Sequence, residues 1–97
     1  MPDPIGIEFE FDSQKAASNR RRHGVEFALA ASAFSDPLSI VIPDPDHSVD
    51  EERFLLVGHT LDGRLVVVAF TERGLRFRLI SARLATRHER KTYEERL

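Results

Sequence analysis

An α+β fold follows from three features of the 97-residue chain: helical spacing near its start, a run of alternating strands through its middle, and a capped polar helix at its end. These features predict a twisted antiparallel sheet of four to five strands, with two N-terminal helices and one C-terminal helix. At this length a core of useful size fits within one body, so residues 1–97 are expected to form a single domain.

Near the start, Ile5, Ile7, Phe9 and Phe11 alternate with Gly6, Glu8 and Glu10, the period of a short strand with one buried face. Asp12 or Ser13 can then N-cap a helix reaching His23, and Gly24 supplies the left-handed residue that commonly ends one. Phe27, Ala30, Ala31 and Phe34 recur at helical spacing. They predict a second short helix over about Glu26 to Ser35, with its phenylalanines turned to the core and Asp36-Pro37 as its stop.

From Leu38 the period changes. Leu38, Ile40 and Ile42 alternate as a strand does, and Pro43-Asp44-Pro45 breaks that strand into the acidic loop DPDHSVDEE. Phe54–Thr60, Leu65–Thr71 and Leu75–Ala82 are three further strands, joined at Asp62-Gly63 and Arg73-Gly74 by residue types that two-residue hairpin turns require. Thr86 and Glu89 then form a capping box that opens a polar helix running to the C-terminus.

With two-residue turns, Glu72 lies opposite Leu75, Phe70 faces Phe77 and Val68 faces Leu79 on the core side. The same register sets Thr71 against Arg76 and Ala69 against Arg78, so the other side carries two arginines beside small neighbours. His59 falls with Val66 and Val68. One β-bulge would reverse part of this pattern.

Composition narrows the chemistry. With 41% hydrophobic and 31% charged residues the chain is expected to fold unaided. No apolar run approaches the roughly 20 residues of a membrane helix, and the opening MPDPIGIEFEFD is unlike a signal peptide. A cytoplasmic protein without membrane contact is expected. The absence of cysteine excludes disulfides, thiol catalysis and thiolate metal sites.

The charge is polarised. Residues 64–97 hold nine Lys/Arg against four Asp/Glu, and residues 1–63 hold five against twelve, which gives +5 and −7 within a total of −2. A small protein of this kind can offer a cationic groove to a polyanion and stay soluble. Arg83 and Arg87 flank the junction of the last strand and helix, where unpaired N–H groups also point outward, and together these make a phosphate pocket. The competing reading is a solvated face, with salt bridges to Glu89, Glu94 and the acidic loop.

Glu89 has two readings, a general base for a ribose 2′-hydroxyl and the glutamate that closes the capping box. Tyr93 likewise stacks on a base or packs at a rim. The acidic loop starts like a calcium loop but carries Val49 and Leu55 where the turn glycine and the bidentate glutamate belong, so no metal site is assigned. His23, His47, His59 and His88 do not form a pair suited to two-histidine catalysis.

In its motifs the chain resembles the BrnT family of type II toxins, small ribonucleases encoded beside a BrnA antitoxin. FEFD at Phe9 to Asp12 is similar to that family's FEWD, and NRRRHGV at Asn19 to Val25 to its N-x-x-KHG-V. DPL, EER and DGR recur at Asp36, Glu51 and Asp62, and ISARLATRHERKTYE resembles the most specific motif of the family. Phe11, Arg22 and Leu84 stand where the family usually has tryptophan, lysine and proline.

The resemblance implies a RelE-like fold, with helices on one face of the sheet and an RNA-binding surface on the other. It implies metal-independent cleavage of mRNA without a cofactor, arresting translation. It also implies neutralisation by a BrnA-like ribbon-helix-helix antitoxin, and operator DNA binding through that complex. Matched by position, Arg83, Arg87, Glu89 and Arg90 belong to the C-terminal motif, and Arg73 to the T-E-R before the last strand. The expected catalytic set is Arg73, Arg83, Arg87 and Glu89, with Arg76, Arg78, Arg90 and Tyr93 binding RNA. The alternative is a non-catalytic module docking RNA or an acidic protein on the same basic surface.

Overall fold

The computed structural model describes residues 7–44 and 51–96. The elements are β1 (Glu8–Glu10), α1 (Ser13–His23), α2 (Phe27–Ala31), β2 (Ile40–Pro43), β3 (Phe54–His59), β4 (Leu65–Arg73), β5 (Arg76–Leu84) and α3 (Arg87–Glu94). A 3₁₀ turn over Ser32–Ser35 continues α2, so the predicted second helix tightens halfway along. Ile5 and the loop residues Asp46, His47 and Asp50 lie outside the described residues.

Local chemistry sets the helix ends as expected. The Asp12 carboxylate accepts the N–H groups of Gln14 at 2.8 Å and Lys15 at 3.0 Å, and Gly24 closes α1 at φ 70° with its N–H on Arg20 O. Both halves of the Thr86–Glu89 capping box are present.

The sheet runs in the order β1-β5-β4-β3-β2. All neighbours are antiparallel except β1 and β5, which are parallel, a departure from the all-antiparallel expectation. Alternation reports which face a strand buries and is blind to its direction. On one face α2, the link before it and the 3₁₀ turn after it deliver Val25, Phe27, Ala30 and Phe34 onto Val66, Val68, Phe70, Leu79 and Ala82, and Ala16 of α1 packs beside them. Phe34 sits edge-on between Phe9 and Phe70, each 4.9 Å away between ring centres.

The opposite face carries Val57, Leu65 and Val67, covered by Tyr93 of α3. Helices therefore lie on both sides of the sheet rather than on one. Tyr93 is the one large apolar side chain that α3 has to bury, and it finds this second cluster.

Both turns differ from the expected pairing, and the first moves a side chain between faces. Between β3 and β4 the loop is Leu61-Asp62-Gly63: Thr60 N–H bonds Arg64 O at 2.9 Å, and Gly63 takes φ 86°. Asp62 organises it, accepting the Thr60 hydroxyl and, at 2.9 Å, Arg64 Nε. The extra residue pairs His59 with Leu65. His59 therefore leaves the predicted company of Val66 and Val68 for the face of Val67 and Tyr93.

Between β4 and β5 the turn is Gly74-Leu75, with positive φ at the glycine alone, as a type II′ turn has. Phe70 thus faces Leu79, Thr71 faces Arg78 and Glu72 faces Phe77. This slip of two positions preserves the predicted faces. Further along, a bulge inserts Ile80, so that Ala69 faces Ser81, Val68 faces Ala82 and Val67 faces Arg83.

Asn19 secures the far side of the bulge. Buried on α1, it accepts the Ala82 N–H at 3.0 Å and donates to Ala82 O at 2.8 Å and Val25 O at 3.0 Å. β1 covers only Arg76–Arg78 of the outer edge of β5, so this amide stands in for the missing strand. Asn19→Leu keeps the branched outline of the side chain and strands all three backbone groups. A loss of about 3 kcal/mol in denaturant unfolding is expected, whereas a loss below about 1 kcal/mol would show that water satisfies them.

Candidate active site

The bulge decides which arginines share a surface. Without Ile80 as an inserted residue, Arg83 would alternate into the core beside Phe77 and Leu79; with it, Ala82 enters the core and Arg83 joins Arg78 on the α3 face. Arg83 lies across from Val67, at the rim of a groove of about 310 Å³. Ile40, Ile42, Leu55, Val57 and Val67 form its floor, and His88, Glu89 and Thr92 of α3 form its wall.

Arg83 and Glu89 form the best-defined polar pair in this region. The guanidinium meets the carboxylate fork to fork, Nη1 to Oε1 at 2.7 Å and Nη2 to Oε2 at 2.9 Å. Oε1 also accepts the Thr86 N–H at 2.9 Å, so the capping glutamate and the arginine partner are one residue. The Arg83 hydrogen bonds, outweighing burial and aided by the Thr86 N–H, hold the Glu89 carboxyl down at about 2. The same pairing raises Arg83. With 39% of its side chain exposed, Arg83 remains open to a ligand.

The other predicted arginines sit differently. Arg76 reaches Glu8 at 3.1 Å and Glu10 at 3.7 Å, Arg78 reaches Glu10 at 3.6 Å, and Arg73 reaches Glu51 at 3.4 Å. β1, by lying parallel beside β5, supplies two of these carboxylates, so the expected bare cationic floor is charge-compensated. Arg87 and Arg90 are exposed on α3 and form no ion pair among the described residues.

Tyr93 corrects a further expectation. At 3% exposure its ring is part of the core and has no face to offer a base, and its hydroxyl donates to Asp36 Oδ2 at 2.6 Å. Burial and the neighbouring carboxylate push the phenol up to about 12. Asp36 has a side chain only 9% exposed. Burial would raise its carboxyl, but hydrogen bonds from Tyr93 and from the N–H groups of His59 and Leu38 outweigh this and lower it. The His59 ring stands edge-on to Tyr93, with Nδ1 3.2 Å from the hydroxyl.

Sequence reasoning passed over Asp36, which it read as a helix stop, and misplaced His59. The three-residue loop was the available signal, because Asp62 between Thr60 and Arg64 favours it. Among the described residues, no three His, Asp or Glu side chains converge as metal ligands do. No described helix is long and apolar enough to cross a membrane.

Comparison with known proteins defines the class. Residues 11–89 match the sequence profile of a family of ribonuclease toxins of type II toxin–antitoxin systems. The chain belongs to that family, BrnT. The matched span includes Arg73, Arg76, Arg78, Arg83, Arg87 and Glu89, while Arg90 and Tyr93 lie beyond it. Membership implies an RNA substrate and an antitoxin partner. No curated protein matches the chain. The fold is similar to the 1.1 Å crystal structure of the Brucella abortus ribonuclease toxin BrnT, with TM-score 0.65 and 23% identity over 84% of this chain and 99% of that one.

The Arg83–Glu89 pair makes stability depend on pH in a known direction. A carboxyl depressed in the folded state contributes stability that is complete above its unfolded value and is lost as pH falls through the folded one. The melting-temperature gap between the wild type and Glu89→Gln is therefore expected to be constant above about pH 5 and to close towards pH 2. A gap unchanged down to pH 2 would mean that the pair does not form.

Proposed function

We propose that this BrnT chain is an endoribonuclease that cuts messenger RNA without a metal and so arrests translation. The observation that carries this reading is the half-exposed Arg83 guanidinium, paired with Glu89 in the wall of the groove. In the proposed reaction a ribose 2′-oxygen gives up its proton and attacks the adjacent phosphorus. The new P–O bond forms through a five-coordinate species with one further negative charge; the P–O5′ bond then breaks to leave a 2′,3′-cyclic phosphate, and the 5′-oxygen takes a proton from water.

A fixed guanidinium aimed at that developing charge lowers the barrier. When the scissile phosphate enters, Arg83 exchanges the Glu89 carboxylate for phosphate oxygens. Glu89 then loses the largest cause of its low pKa and becomes a stronger base beside the 2′-hydroxyl, while Thr86 N–H still orients it. Arg87 and Arg90 hold flanking phosphates, and Arg73 and Arg78 assist from β4 and β5. The Arg73–Glu51 pair is exposed and worth only about 0–1 kcal/mol, and the part-buried Arg78–Glu10 pair is loose at 3.6 Å, so phosphate can displace both carboxylates.

Neutralisation falls to a BrnA-like ribbon-helix-helix antitoxin that covers this surface, and the complex binds operator DNA mainly through the antitoxin. Arg83→Ala is expected to reduce RNA cleavage about 100-fold to 1,000-fold and to abolish growth arrest while the protein stays folded. Wild-type cleavage is expected to persist in EDTA. Chelator-sensitive cleavage, or RNA retained without being cut, would overturn the mechanism.

A further inference from the structure

Among the cations outside the proposed catalytic set, those of α1 stand apart. The helix SQKAASNRRRH carries Lys15, Arg20, Arg21 and Arg22 and no acidic residue, inside the acidic segment 1–63. At 100° per residue, Lys15 and Arg22 fall within about 20° of each other on one flank, and Arg20 lies on the opposite flank. Arg20 faces α2, where it pairs with Glu26 at 3.7 Å and lines a groove with Phe27 and Ala28. Lys15 and Arg22 therefore point away from α2. Both are exposed, and neither forms an ion pair among the described residues.

The path of α1 sets this flank beside the catalytic strand. Its first turn adjoins Arg78: the Asp12 carboxyl, held low chiefly by the N–H groups of Lys15 and Gln14, also feels that arginine's charge. Further along, Asn19 is bonded to both backbone groups of Ala82, the residue before Arg83. α1 thus runs along the part of the β5 edge that β1 leaves uncovered, with Lys15 and Arg22 outside that edge and Arg78 and Arg83 on the far face of the strand.

We propose that Lys15 and Arg22 form a second row of phosphate contacts, along which single-stranded RNA leaves the Arg83 groove by crossing the open edge of β5. The proposal rests on the ribonuclease reading for its ligand and assigns these two side chains to binding alone. In the row on β5 each cation must first release a carboxylate, whereas Lys15 and Arg22 need release none. They are thus suited to the initial capture of a polyanion.

The test uses a short fluorescent 2′-O-methyl RNA, which offers no 2′-hydroxyl and is not cut, so the readout does not depend on cleavage. Anisotropy titrations across a range of salt concentrations give the slope of log K against log salt. Lys15→Ala/Arg22→Ala is expected to flatten this slope by about 1.4, two phosphates at about 0.7 each. On cleavable RNA the same variant should raise KM and leave kcat unchanged. Arg20→Ala/Lys91→Ala removes the same charge from two paired positions and should do neither. An unchanged slope in a variant shown folded by circular dichroism overturns the proposal. So does unchanged RNA binding with loss of antitoxin binding, which would assign the flank to the antitoxin.

Discussion

The hydrogen bonding of Ala82 by Asn19 is the constraint on which the functional surface depends. A strand whose outer neighbour stops at Arg78 has backbone groups left to satisfy, and a bulge makes the problem worse by breaking the ladder at Ile80. One buried amide with a donor and an acceptor side by side meets both groups of Ala82 and reaches Val25 O as well. It ties α1 to β5 across 63 positions of sequence. These bonds hold the bulge with Ala82 inward and Arg83 outward.

Electrostatics on this surface is a matter of exchange rather than of bare charge. The arginines of β4 and β5 all have carboxylate partners in the free protein, and the partners come from three places: β1, the segment before β3, and α3. Such pairing keeps a row of like charges from repelling itself and costs little to undo where the pairs face water. The Arg83–Glu89 pair differs because it is bidentate and partly buried, and because Glu89 also caps the helix. A phosphate that displaced Glu89 from Arg83 would remove the largest cause of the low Glu89 pKa.

The C-terminal helix is held by a separate device. Tyr93 fills the second apolar cluster and its hydroxyl closes on Asp36, whose other hydrogen bonds come from the N–H groups of Leu38 and His59. A carboxylate with that many donors stays ionised despite burial. The clasp fastens α3 over the sheet, and Glu89 and Arg87 keep their places because the far end of their helix is pinned.

Much of the fold was legible in the amino-acid order because its signals are local. Asp12, Gly24, Thr86 and Glu89 announce their helix ends through contacts within four residues, and the alternation of β2 to β5 announces the strands. The BrnT motifs were legible too, and with them the family. Faces and partners were decided only in three dimensions. Alternation carries parity forward with no memory of an inserted residue, so the bulge at Ile80 set the face of Arg83 and the third residue of the Leu61-Asp62-Gly63 loop reassigned His59. Charge counting sees how many cations a segment holds and not what each one touches, so the pairing of Arg76 and Arg78 waited on β1 lying parallel beside them. Sequence specifies what a residue can do within a turn or two of its own backbone, while a site assembled from Asn19, Val67, Arg83 and Glu89 exists only once distant segments share a surface.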